Sequence, residues 1–353
     1  MIFYLILFGI VLLLSASSIL IKKKFHVLLF WPIVFVLFLV AAFRCAGVDH
    51  DYDNYLEYYN TIVQNKYDWV LLEPAYYVIS KISYFFLDNS YLVFIIYAFL
   101  GLTIKSQAIK ETSNFIFLSL LLYFCNYFFL HEMTQIRVGV ASGIFLYSIK
   151  YIEERNIKKF GLCILFATTF HYTSVIGIPF YFLNPKKLNV KIYYTAIIIS
   201  IIMVFLQVST IDLLFKLGGS LPIFQKLNMY KTLIDNGDVN KINFFNIFSI
   251  SSLLFNSLFL WKAAYLETKN KYFILFLKIS CFGFLASSVF FDFPVLSFRI
   301  SEYLGVVNIC LFPMLFYFLK EKYVSTTLIV MYVILVFVIN IYYAKYMLPY
   351  KMI

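Results

Sequence analysis

Apolar runs of about 17–21 residues recur along this chain, matching the roughly 20 residues that cross a bilayer's hydrocarbon core. Between them lie short loops that carry most of the lysines. Helices are predicted over residues 2–21, 25–43, 89–106, 115–131, 137–152, 160–183, 192–209, 243–263, 272–291, 300–319 and 323–343. The first run, IFYLILFGIVLLLSASSILI, lacks a basic leader and ends in KKK rather than a small-residue cleavage site, so it reads as a retained helix. Two regions break the pattern, 44–88 and 210–242. Within the first, Tyr52, Tyr55, Tyr59 and Ile62 recur at helical spacing, which predicts an amphipathic helix lying at the interface. The stretch 71–87, LLEPAYYVISKISYFFL, reads as an interfacial or re-entrant helix with Pro74 in its first turn.

Positive charge orients such a chain. Basic loops fall at Lys22–Lys24, Lys105/Lys110, Arg155–Lys159, Lys186–Lys191, Lys262–Lys271 and Lys320–Lys322, and the positive-inside bias places all six on the cytoplasmic face. That holds only if 160–183 turns back near His171 instead of crossing once. FHYTSVIGIPF contains a Gly and a Pro that loosen a helix there. Two short helices are therefore expected, 160–171 and 172–183, with His171 near an external apex. The external parts are then 44–88, 131–136, 210–242 and 292–299.

Composition agrees. The 353 residues are 63% hydrophobic, 21% aromatic and 13% charged. This is an all-α polytopic integral membrane protein of about 11–12 transmembrane or half-membrane helices, forming one transmembrane domain over 1–353 with external amphipathic helices. The net charge of +11 resides mainly in the orienting loops, so nucleic-acid binding is not expected. Five dispersed cysteines without C-x-x-C spacing give neither a zinc site nor a disulfide framework.

Of 29 cationic residues only four are arginines: Arg44, Arg137, Arg155 and Arg299. Arg155 lies in a cytoplasmic loop. The other three sit at external helix ends, where the positive-inside bias gives no reason for them. A guanidinium fork binds phosphate in bidentate fashion, so Arg44, Arg137 and Arg299 are diphosphate-binding candidates. Snorkelling or a local carboxylate partner is the plainer account of each.

Asp49, Asp51 and Asp53 resemble a metal-binding D-x-D-x-D. However, Asn54 and Asn60 stand where a calcium loop wants Gly and Glu, and no metal is expected. Helix capping or sugar binding are the remaining readings, with one of them as a base. Glu73 is either a helix-N-terminal acid or a catalytic one. His171, ionisable inside an apolar run, is a candidate by position. His131 and Glu132 close another external helix end and are either supporting residues or solvated. Lys278 reads as a snorkelling lysine. No G-x-S-x-G, Walker A or H-E-x-x-H signal is present.

These segments resemble the EpsG-like proteins, within the broader group of Wzy-type polysaccharide polymerases. FRCAGVDHDYDNYLEYYN is similar to the family's opening signature through Arg44, Gly47, Asp51, Tyr52 and Tyr55, with Asp49 an alternative for the aspartate. EPAYYVISKI matches a Glu-Pro block with Glu73, Pro74 and Tyr77; TQIRVGVASGIFLYSIKYIEERNIKKF a Gln-x-Arg helix with Gln135 and Arg137; LFATTFHYTSVIGIPFYFL a Phe-His block with His171. SFRISEYL is similar to a late Arg-rich block with Arg299 and Tyr303.

The resemblance implies a GT-C-like membrane glycosyltransferase of the bacterial inner membrane, with its active site facing the exterior. It would polymerise repeat units carried on undecaprenyl diphosphate without metal or cofactor. Beside the lipid-linked oligosaccharide and the bilayer, a chain-length regulator protein is a candidate partner. Arg44, Arg137 and Arg299 would clamp the diphosphate. Asp51, Glu73 and His171 are base or sugar-orienting candidates. Asp49, Asp53, Tyr52, Tyr55, Gln135, His131 and Tyr303 would bind sugar or support the site. A flippase for lipid-linked oligosaccharide is the alternative from another class, although the inverted repeats often seen in transporters are absent. A glycan ligase or O-acyltransferase is a third.

Overall fold

The computed structural model describes residues 1–17, 22–66, 73–208, 210, 232, 243–318 and 321–352. The end of the first predicted helix at 18–21, Lys320 and nearly all of 210–242 lie outside the described residues. Among the described residues 79% are helical and no strand is present. Among the described residues, three helices are long and apolar enough to cross a membrane: Tyr91–Thr112, Ile116–Thr134 and Val324–Tyr343. A fourth is added if Pro294–Gly305 and Asn308–Tyr317 count as one span, and five apolar helices are shorter. The chain is thus an all-α multi-pass membrane protein.

Two compact units divide it: Met1–Leu183 with Asn270–Tyr272 and Asn308–Ile353, and Asn184–Lys269 with Phe273–Val307. The first unit opens with α1 (Ile2–Ser17), α2 (His26–Ala42), α3 (Tyr52–Val63), α4 (Pro74–Leu87) and α5 (Tyr91–Thr112). Next is α6 (Ile116–Tyr123), which continues as a π-helical segment (Phe124–Thr134) into α7 (Ile136–Glu153) and α8 (Ile157–Phe170). Helix α5 is the hub of this unit and packs against α2, α4 and α7, while α7 also packs on α8.

Helix limits follow local chemistry. Pro74 occupies the first turn of α4, as the sequence predicts, because its missing N–H is an orphan there anyway. Asn156 caps α8 by accepting from Lys159 N at 3.1 Å. The α3 spacing also holds: Tyr52, Tyr55, Tyr59 and Ile62 form the buried face.

The segment 160–183 turns back. α8 ends where His171 is extended (φ −157°, ψ 121°), and 3₁₀ turns follow over Tyr172–Phe182 instead of the expected second α-helix. Tyr181 then returns beside the start of α8, donating from its hydroxyl to Arg155 O at 2.8 Å and accepting at its carbonyl from Arg155 Nη1 at 3.0 Å. One face of α8 buries Phe160, Ile164, Ala167 and Phe170, while Leu162, Leu165 and Phe166 point outward. Apolar residues on both faces suit a helix between protein and lipid.

The expectation for Lys105 fails. Lys105 is not in a cytoplasmic loop. α5 continues to Thr112, and Lys105 lies buried inside it, paired with Glu132 at 2.6 Å. Lys105 and Glu132 therefore share one depth, whereas the lysine pattern assigned them to opposite faces. Counting lysines reads charge but cannot see a carboxylate 27 residues away in the chain.

The second unit contains α9 (Val190–Phe205), α10 (Ile247–Trp261), the short α11 (Ala263–Leu266), α12 (Phe273–Val289) and α13 (Pro294–Gly305). α12 packs on α9, α10 and α13. Lys278 of α12 does not snorkel. It is buried and donates to the carbonyls of Asn184 (2.7 Å) and Lys187 (2.5 Å). The chain closes, back in the first unit, with α14 (Asn308–Leu311) and its 3₁₀ extension Phe312–Tyr317. Helix α15 (Lys322–Val338) and a π-helical turn (Ile339–Tyr343) follow.

Candidate functional site

Three sequence candidates from distant segments meet in the first unit. Glu73 stands at the N-terminus of α4, Arg137 in the first turn of α7, and His171 at the turn after α8. One oxygen of Glu73, Oε2, pairs with Arg137 Nη1. The other, Oε1, lies 2.8 Å from His171 Nδ1. The side chains are 19% (Arg137), 5% (Glu73) and 13% (His171) exposed, so the carboxylate is enclosed while both partners reach the surface. The Arg137 guanidinium lies over two rings of α3, 5.3 Å from Tyr58 and 5.7 Å from Tyr55.

The electrostatics follow from this arrangement. Burial opposes ionisation of Glu73, but the His171 hydrogen bond and the Arg137 charge outweigh it and lower its pKa below the usual carboxylate value. An ionised Glu73 accepts from His171 Nδ1–H, and in the neutral ring Nε2 is then the acceptor nitrogen. Burial pushes the Tyr55 phenol up to about 12 against the opposing charge of Arg137. Asp51 differs from Glu73. Burial and the neighbouring charge of Asp49 raise its pKa, while Asn54, Arg137 and His50 counter only part of that. It stands at the N-cap of α3 without a side-chain capping bond, and Asp53 follows in the first turn, exposed.

Arg44 and Asp49 form a separate pair. Both side chains are 0% exposed, and Arg44 Nε donates to Asp49 Oδ2 at 2.7 Å. Arg44 Nη1 donates to Ala41 O at 2.6 Å and Nη2 to Met133 O at 2.5 Å. Its guanidinium lies 4.9 Å from the Phe94 ring. Asp49 Oδ1 accepts from Asp51 N at 3.0 Å. Arg44 is thus enclosed and committed, contrary to its expected place on a substrate diphosphate. The loop it anchors turns at Gly47, whose φ of +75° favours glycine.

The remaining sequence candidates divide by burial. Tyr52 stacks on Phe94 at 4.3 Å and is buried; His131 is buried beside Ser142, with Nδ1 3.3 Å from its hydroxyl. Tyr303 is buried in α13. None of these three offers an open face to a sugar, because each ring is packed inside its own unit. Gln135 is half-buried at the α7 N-cap, and its side chain makes no capping bond. Arg299 is exposed on α13 in the second unit. Among the described residues, no three of His, Cys, Asp and Glu converge as a metal site would require.

Sequence reading missed Lys105. Tyr58 belongs to the aromatic series of α3, so its signal was present in the spacing. Lys105 had none beyond lying within an otherwise apolar run.

Fold and site together define a multi-pass helical membrane protein with a partly open ionic centre built from a Glu-Pro, an Arg and a His block. The chain matches the EpsG family over residues 27–352 and belongs to it. Over 168 residues it is 27% identical to the amylovoran biosynthesis protein AmsC of Erwinia amylovora, a match that covers 44% of each chain. The match thus spans less than half of that relative's length. No solved structure matches the chain.

Proposed function

We propose that this protein is a polysaccharide polymerase, a glycosyltransferase that joins oligosaccharide repeat units carried on undecaprenyl diphosphate at the external face of the bacterial inner membrane. The observation that carries this reading is Glu73, held between Arg137 and His171. Membership of the EpsG family and the similarity to an amylovoran biosynthesis protein support the substrate class.

Each group has one task. A sugar hydroxyl of the incoming unit attacks the anomeric carbon of the growing chain, forming a new C–O bond as the bond from that carbon to the diphosphate oxygen breaks. His171 Nε2 takes the hydroxyl proton, with Glu73 holding the ring by Nδ1, in the manner of a base oriented by a third group. Negative charge grows on the departing diphosphate, and Arg137 stabilises it. A guanidinium has five N–H donors, so pairing with Glu73 does not exhaust it. Tyr58 offers a half-buried ring beside Arg137 for sugar stacking, and Asp51 a carboxylate for sugar hydroxyls. Arg44 and Asp49 hold the loop that presents Asp51. By the family resemblance alone Arg299, considered by itself, is a diphosphate-binding candidate, tested by Arg299→Lys.

The test uses purified protein in detergent, its own lipid-linked repeat units and EDTA. A product ladder spaced by one repeat unit is expected. Absence of a ladder with folded protein and intact substrate overturns the reading and favours a flippase, assayed next in liposomes.

A further inference from the structure

Lys105 and Glu132 take no part in the chemistry above, yet both side chains lie fully inside the first unit, 0% and 1% exposed. Ionisable groups within a membrane bundle are costly, and even a well-paired buried ion pair is often no more stabilising than apolar residues of the same size. Stability therefore does not explain the pair. Its geometry does. Lys105 Nζ donates to Glu132 Oε1 at 2.6 Å and to Gly139 O at 2.5 Å. Those two residues flank Gln135, whose non-helical backbone (φ −93°, ψ 59°) joins the π-helical segment to α7. One ammonium thus ties the two sides of a joint, and Arg137 lies inside the tied interval.

The surroundings are cut to admit this clamp. A Cβ at Gly101 would stand 1.9 Å from Glu132 Oε2, so only glycine lets that carboxylate lie against α5. A Cβ at Gly139 would stand 2.2 Å from the His131 carbonyl, so the joint closes only on glycine. Gln135 N donates to Leu130 O at 2.6 Å, the i→i−5 bond that ends the π-helical segment. Such segments are rare beyond a single turn, and this one spans 11 residues. If it relaxed toward ordinary i→i−4 bonding, each residue of slipped register would turn the following helix by about 100°. Arg137 would then leave Glu73.

We infer that Lys105 is a positioning residue for Arg137, setting the register of the π-to-α joint through Glu132 and Gly139. This rests on the assignment of Arg137 to the departing diphosphate. The test is the paired variant Lys105→Met, Glu132→Leu, which leaves no orphan charge. Its melting temperature is expected at or above that of the parent. Its kcat should fall on the order of 10²-fold, as small misplacements of catalytic groups do, with KM changed only a few-fold. Amides 132–139 should exchange faster while the rest of α7 stays protected. Adding Arg137→Lys should then cost little more, because residues acting as one unit are not additive. A full multiplicative loss on adding Arg137→Lys, or an unchanged kcat, overturns the inference. If the apolar pair does not fold, the amide pair Lys105→Gln, Glu132→Gln carries the same readouts. A parent protein that builds no ladder refutes the polymerase reading, and the exchange measurement still decides the clamp. A parent that builds one while the losses multiply refutes the clamp alone.

Discussion

Arg44 and Arg137 each pair with a carboxylate inside the same unit, Arg44 with Asp49 and Arg137 with Glu73. The first pair is sealed from solvent, and its guanidinium is further held by two backbone carbonyls. The second is partly open, and its carboxylate is shared with a histidine. The same chemistry serves two ends. A closed pair fixes a loop, because any movement would strand a buried charge. An open pair keeps donors for a ligand and a neighbour for proton transfer.

That contrast can be broken experimentally. The largest effect is expected from Arg44→Met, which leaves Asp49 buried without its cation and should cost about 3–5 kcal/mol of stability. It would show as a large drop in melting temperature in detergent. Arg137→Lys should instead leave melting nearly unchanged and lower turnover by roughly 10²–10³-fold, because a point charge replaces a fork. If the two variants behave alike, the distinction between a closed and an open centre fails.

Glu73→Gln sharpens the comparison through pH. The Glu73 pKa is lowered in the folded protein, so its contribution to stability is present above the ordinary value of 4.5 and is lost as pH falls through the folded value. The parent should lose stability over that acidic range, and the Gln variant should lack this component. Asp51→Asn removes the opposite dependence. With its pKa raised, Asp51 favours the fold most at low pH, and that contribution is lost as pH rises through the folded value. Melting curves against pH separate the two. The smallest effect belongs to the C-terminal segment, which lies along the Arg44 loop. Cys45 N donates to Lys351 O at 3.0 Å, Leu348 N to Val48 O at 2.9 Å, and the Tyr350 hydroxyl to Val40 O at 3.1 Å. Tyr350→Phe should cost about 0.5–1.5 kcal/mol with turnover preserved, measured by melting and by the ladder assay.

Much of this was legible in the chain itself. Apolar run length alone marks a helical membrane protein, because the bilayer's thickness sets element length. Spacing of tyrosines predicts α3 and its buried face, and Pro74 marks the start of α4. The scarcity of arginine singles out Arg137, and position in an apolar run singles out His171. What no run of residues reveals is pairing. Glu73 and His171 are 98 positions apart, and only the turn at His171, the start of α4 and the start of α7 bring them to one point. The same holds for Arg44, whose residue type announces a phosphate ligand, but whose enclosure by Asp49 and Met133 O gives it a different task. Lys105 shows the limit most plainly. Its charge reads as a loop marker, while its partners, Glu132 and Gly139 O, are set by how α5 packs on the π-helical segment and α7. Hydrophobic length and local propensity act along the chain, so sequence carries them. The state of a buried charge depends on what lies across from it, and only the tertiary structure decides that.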